Sequence, residues 1–159
     1  MTDMYLSVSL EAKHDFDTDA VTRRLGVEPT QIRKLGTPMH PGHDALYKYN
    51  SWEWDTGHIS ADDAGELIAQ AAAMFQSRAT VMRELADEYG GKWAIVLDGY
   101  VHSGDAPTVL LPPDFVEFCA AIGAIFQYVI DISYDYSSEG GARSYLLCGG
   151  AHEKARVDQ

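Results

Sequence analysis

Basic residues are scarce in this chain of 159 residues: 12 Lys and Arg stand against 24 Asp and Glu, a formal net charge of −12. Such a surface repels phosphate backbones and anionic membranes, which argues against nucleic-acid and membrane-surface binding. It would favour a basic protein or a cation as partner, and solubility alone is the plainer account of it. Cysteine is nearly absent. Cys119 and Cys148 belong to no CxxC or metal-spaced set, so they are expected to be free thiols in a reducing compartment. No apolar run approaches the ~20 residues of a membrane span. The opening MTDMYLSVSLEAKHDF has no basic segment ahead of an apolar one, so a cytoplasmic location is expected. Catalytic signatures are missing too: there is no G-x-S-x-G elbow and no G-x-x-x-x-G-K-[ST] phosphate loop. No cofactor is expected.

Apolar and aromatic residues, by contrast, are plentiful. A hydrophobic fraction of 46%, with five Phe, nine Tyr and three Trp, is enough to build the core of one domain. Residues 4–13 alternate, with Leu6, Val8, Leu10 and Ala12 on one face and Tyr5, Ser7, Ser9 and Glu11 on the other. That period of two predicts a strand with one buried face. Asp17 or Thr18 can cap a following helix with Phe16 as its staple, Val21 and Leu25 share a stripe, and Gly26 is a fitting stop. Residues 36–46 carry two Pro and two Gly and predict a loop. Residues 47–54 alternate again, which places Trp52 and Trp54 on the inward side.

Helical spacing runs from 61 to 89 through Leu67, Ile68, Ala71, Phe75, Met82 and Leu85, as one bent helix or two meeting near Ser77. Residues 93–102 predict a third strand and 108–111 a short fourth. A helix after Pro112-Pro113-Asp114 leads to a strand over 128–136, a loop over 137–142 and an edge strand over 145–148. The second helix echoes the first: Asp19-Ala20-Val21 with Leu25-Gly26-Val27 recurs as Asp114-Phe115-Val116 with Ile122-Gly123-Ala124. The expected fold is α+β, a mostly antiparallel sheet of about five to seven strands with helices mainly on one face. Two ferredoxin-like strand-helix-strand halves, 4–56 and 92–148, are joined by the 61–89 region in one domain over 1–150, and 151–159 form a mobile tail.

RRLGVEPTQIRKLG followed by NSWEWDTG carries a family resemblance. Leu25, Gly26, Glu28, Pro29, Thr30, Arg33, Lys34, Gly36, Ser51 and Trp52 resemble a bacterial family catalogued as domain of unknown function 4279, over roughly residues 4–135. The resemblance brings no catalytic residues with it. Its relatives' setting near bacterial toxin and immunity genes implies an antitoxin-like binder.

Three clusters hold chemistry worth locating. His40, His43 and Asp44 form a ligand-like group that needs a third protein ligand near it, His14 or His58, to hold Zn²⁺; the plainer account is a polar loop. His14, Asp15, Asp17 and Asp19 could form a cation site or an acid/base pair, but a helix N-terminus explains their spacing without a ligand. Arg23, Arg24, Arg33 and Lys34 stand out in an acidic chain, and they either pair internally or hold an anion. Arg33 and Lys34 with Trp52 are the candidate ligand-binding set, in a cleft between the halves. The tyrosines Tyr47, Tyr49, Tyr128, Tyr134 and Tyr136 make either a protein-binding face or ordinary sheet packing. The reading that follows is a non-enzymatic cytoplasmic binding protein, an immunity- or antitoxin-type partner of a basic bacterial protein. A small-molecule or anion-binding domain is the alternative, and a metal-dependent enzyme is the third.

Overall fold

The structure, a computed structural model, describes residues 2–42, 44–101 and 106–132. The first strand, β1 (Thr2–Ala12), runs through the middle of a sheet with six strands among the described residues. Its even-numbered residues Met4, Leu6, Val8 and Leu10 have no exposed surface, as the alternation requires. Helix α1 (Thr18–Leu25) begins where Asp17 Oδ1 accepts from Ala20 N at 2.9 Å. It ends at Gly26, whose φ of 64° is left-handed and suits a residue without Cβ. Phe16 is buried and stacks on Tyr89 with ring centroids 5.3 Å apart.

Short strand β2 (Gln31–Arg33) then pairs antiparallel with β3 (Asn50–Asp55), which pairs antiparallel with β1. Strand β4 (Ile59–Ala61) continues along the same side of β1. Helices α2 (Gly65–Phe75) and α3 (Ala79–Tyr89) meet at a 3-10 turn over 76–78. Strand β5 (Lys92–Val101) takes the other side of β1, antiparallel. Helix α4 (Pro113–Ile122) leads to β6 (Ile125–Ile132), parallel to β5.

The order β2-β3-β1-β5-β6 contains two strand-helix-strand units with parallel strands. In β1-α1-β2 the strand β3 lies between the pair; in β5-α4-β6 the strands are direct neighbours. The run β1-α1-β2-β3-α2-α3-β5 has the ferredoxin-like split arrangement, and α4-β6 extends it by one strand. Indoles and phenyl rings fill the layer between sheet and helices. Trp52 meets Phe75 and Trp93 edge-on at 6.5 and 6.2 Å, and Trp54 meets Phe75 at 5.2 Å.

Several boundaries differ from those the sequence predicts. The β3 ladder starts at Asn50 rather than 47, because Tyr47 exchanges backbone hydrogen bonds with Gly36 and Thr37 and closes the 36–46 loop. Residues 108–111 give one bridge, Thr108 to Asp63, instead of a strand. The last described strand begins at Ile125, immediately after Gly123 ends α4. The predicted elements over 137–142, 145–148 and 151–159, with Tyr134, Tyr136 and Cys148, lie outside the described residues.

Candidate functional site

Pairing fixes which side chains share the face of the sheet that the core side chains leave open. Directly opposed residues on neighbouring strands point the same way, and the core claims the even positions of β1. Opposite Ser7, Ser9 and Glu11 stand Asp55, Glu53 and Ser51 of β3, then Val96, Ala94 and Lys92 of β5. Arg33 and Gln31 extend the row on β2, and Ile125, Gln127, Val129 and Asp131 extend it on β6. Ser7, Ser9 and Ser51 are buried here, small side chains sunk between longer ones. Among the described residues the open face therefore has a serine floor, an apolar flank on β5 and β6, and six carboxylates (Asp3, Glu11, Glu53, Asp55, Asp98 and Asp131) against Arg33 and Lys92.

A bulge shapes one end of this face. Ser7 faces Asp55, but Met4, three residues back, faces Ile59, four residues on, so one extra residue enters the strand beside β1. Thr56 spans the irregularity: its Oγ1 accepts from Leu6 N and its N–H donates to Leu6 O, both at 3.0 Å. The bulge lays His58 over Tyr5, ring centroids 4.7 Å apart, with His58 Nδ1 3.4 Å from Asp3 Oδ2. Burial, then a hydrogen bond to Asp98, pushes the Tyr5 phenol well above its ordinary pKa. Asp98 is also pushed up. Its burial dominates, and repulsion by Asp131 and Glu53 adds to it against the opposing hydrogen bond from Tyr5. A basic group arriving here would relieve that repulsion.

Arg33 is on this face, but its charge is already met. Nη1 lies 2.6 Å from Glu53 Oε2 and 3.4 Å from Ser51 Oγ, while Nη2 donates to Gln31 Oε1 at 2.5 Å. Burial opposes the guanidinium charge, and the Glu53 contacts more than offset it, so its pKa is raised. Trp52 is fully buried on the opposite side of β3, its indole N–H donating to Thr22 Oγ1 at 3.0 Å. Arg33 and Trp52 therefore do not line one cleft: neighbouring positions on paired strands alternate in face. Lys34 is exposed, past the end of β2.

The other clusters resolve into local roles. Asp17 caps α1, Asp19 sits in its first turn, and Asp15 accepts from Asn50 Nδ2 at 2.5 Å. Arg23 pairs with Asp17 at 3.7 Å, and Arg24 pairs with Glu84 and Glu88 of α3 at 3.0 and 2.5 Å. His40 and Asp44 are exposed on the loop, and His43 is outside the described residues. His14 follows the C-terminal end of β1 while His58 sits by its N-terminal end, so the two proposed third ligands are far from each other. Among the described residues no three His, Cys, Asp or Glu side chains converge as metal ligands. No described helix is long and apolar enough to cross a membrane.

Comparison with known families gives one result. Residues 2–133 match the family described as Domain of unknown function (DUF4279). The chain belongs to that family. The match spans every described strand and helix. No curated protein and no solved structure matches the chain.

Sequence reasoning singled out Arg33 and Trp52 and passed over Tyr5, Glu53, Asp98 and Asp131. The outward parity of β1 was the available signal for Tyr5. Glu53, Asp98 and Asp131 come together only through strand order.

Proposed function

We propose that this is a non-enzymatic cytoplasmic binding protein whose open sheet face receives a basic segment of another protein, in the manner of an immunity or antitoxin partner. The supporting observation is the charge of that face among the described residues: six carboxylates on four adjacent strands, against two basic side chains. Complementary charge of this kind steers association and selects partners more than it sets raw affinity. Arg33, the main residue of the anion-binding alternative, has Glu53 Oε2 2.6 Å from its Nη1, which favours the basic-segment reading.

The reading is tested by affinity capture from source cells with the wild-type chain and with Asp98→Lys/Asp131→Lys. A basic protein retained by wild type and lost by the double variant is the expected result. Equal retention by both, or a retained set with no basic protein, rejects it.

A further inference from the structure

The two edges of the sheet are built differently. At one edge β2 has three residues and carries Arg33. At the other, β6 has eight, IFQYVIDI, with no Pro, Lys or bulge, and its pairing to β5 is unbroken from Ala94↔Ile125 to Val101↔Ile132. Among the described residues nothing pairs its outer side. Edge strands direct alternate N–H and C=O groups outward, and proteins often blunt such edges with Pro, Lys, a bulge or a very short strand, none of which β6 has; Asp131 is its one charged residue.

Its surface is also open on both faces. Ile125 is 57% exposed on the open face, and Tyr128 and Ile132 are 36% and 47% exposed on the helix side. Coverage by α4 reaches the start of the strand, where Phe126 meets Phe115 at 6.5 Å. Asp131 is exposed on the open face, beside Asp98 of the neighbouring strand.

We infer that β6 is the docking edge, where the basic partner adds an extended segment as a further strand of the sheet. This rests on the reading that the partner is basic. Main-chain hydrogen bonds to an edge supply affinity, and alternate side chains supply specificity. The added segment carries apolar side chains at the positions beside Tyr128, Ile130 and Ile132, and Lys or Arg at the position beside Asp131. Its cross-strand neighbours lie ~4.5–5.5 Å away, within direct contact of Asp131.

The experiment uses the full chain, isotope-labelled, with two decapeptides of alternating Lys and Val, one plain and one N-methylated at alternate backbone amides. With the plain peptide, alternate amides of residues 125–132 gain exchange protection. The N-methylated peptide binds at least tenfold more weakly, and Asp131→Lys weakens the plain peptide by a similar factor. Equal binding of both peptides, with shifts centred on Glu53 and Asp98, overturns strand addition and leaves the acidic-face reading intact. Outward amides of β6 already protected in the free chain overturn it as well, since the edge is then occupied by the chain itself. Binding of neither peptide also rejects it, and the capture experiment judges the acidic-face reading independently.

Discussion

Trp52 is held from three directions: by Thr22 of α1 through its N–H, by Phe75 of α2 and by Trp93 of β5. Replacing it with alanine opens a cavity that those rigid neighbours cannot fill. Trp52→Ala is expected to lower stability by ~3–5 kcal/mol in urea melts. Arg78 does a related job with polar atoms, donating to Leu25 O at 2.7 Å and to Met74 O. One guanidinium thus satisfies carbonyls in the last turns of two helices, where positive charge is favoured. Asp98 behaves oppositely. Its folded pKa is raised, chiefly by burial, so the folded state holds the proton more tightly than the unfolded chain. Its contribution is therefore lost as pH rises from the ordinary carboxylate value through the raised one. Asp98→Asn keeps an acceptor for Tyr5 without the charge. Relative to wild type, its urea midpoint should rise at pH 7, with the difference shrinking toward pH 3.5; a gap that widens on acidification would refute this.

The elements were legible wherever a local rule acts alone. The alternation of β1 and the Trp52 parity of β3 could be read because one side of each strand is core. The ends of α1, α3 and α4 could be read because Gly26, Gly90 and Gly123 all adopt left-handed φ, 64°, 56° and 65°. What stayed hidden depends on partners distant in sequence. Nothing between residues 27 and 50 announces that Gln31–Arg33 will pair with β3, and the bulge at 56–58 exists only relative to β1. For the same reason Arg33 was noticed but its Glu53 partner was not. Gly91 shows how tight one such junction is. A Cβ there would stand 2.9 Å from Glu11 O and 3.0 Å from Leu10 Cδ1, so β1 or β5 must shift. Gly91→Ala should cost about 1–3 kcal/mol by the same melts, as overpacked sites do, despite the better intrinsic propensity of alanine.

For the whole molecule the governing quantity is charge. A net −12 sets up a field that draws a cationic partner from beyond contact range, and salt shortens its reach to a Debye length of ~8 Å at physiological strength. The association rate with a basic partner should fall by about tenfold or more between low and high salt in stopped-flow measurements, the dissociation rate changing much less. A salt-independent association rate would show that steering plays no part.

The central position of β1 also governs the order of events during synthesis. Of the strands of the sheet this one is synthesised before the others, with an apolar face and two unpaired sides. Strands β3 and β4 can close one side once residue 61 is made, but the ten-residue ladder to β5 waits until residue 101. Contacts so distant in sequence make folding slow, and an unpaired apolar strand in the meantime invites aggregation. The strand that organises the finished sheet is thus, on the growing chain, the one most in need of a chaperone.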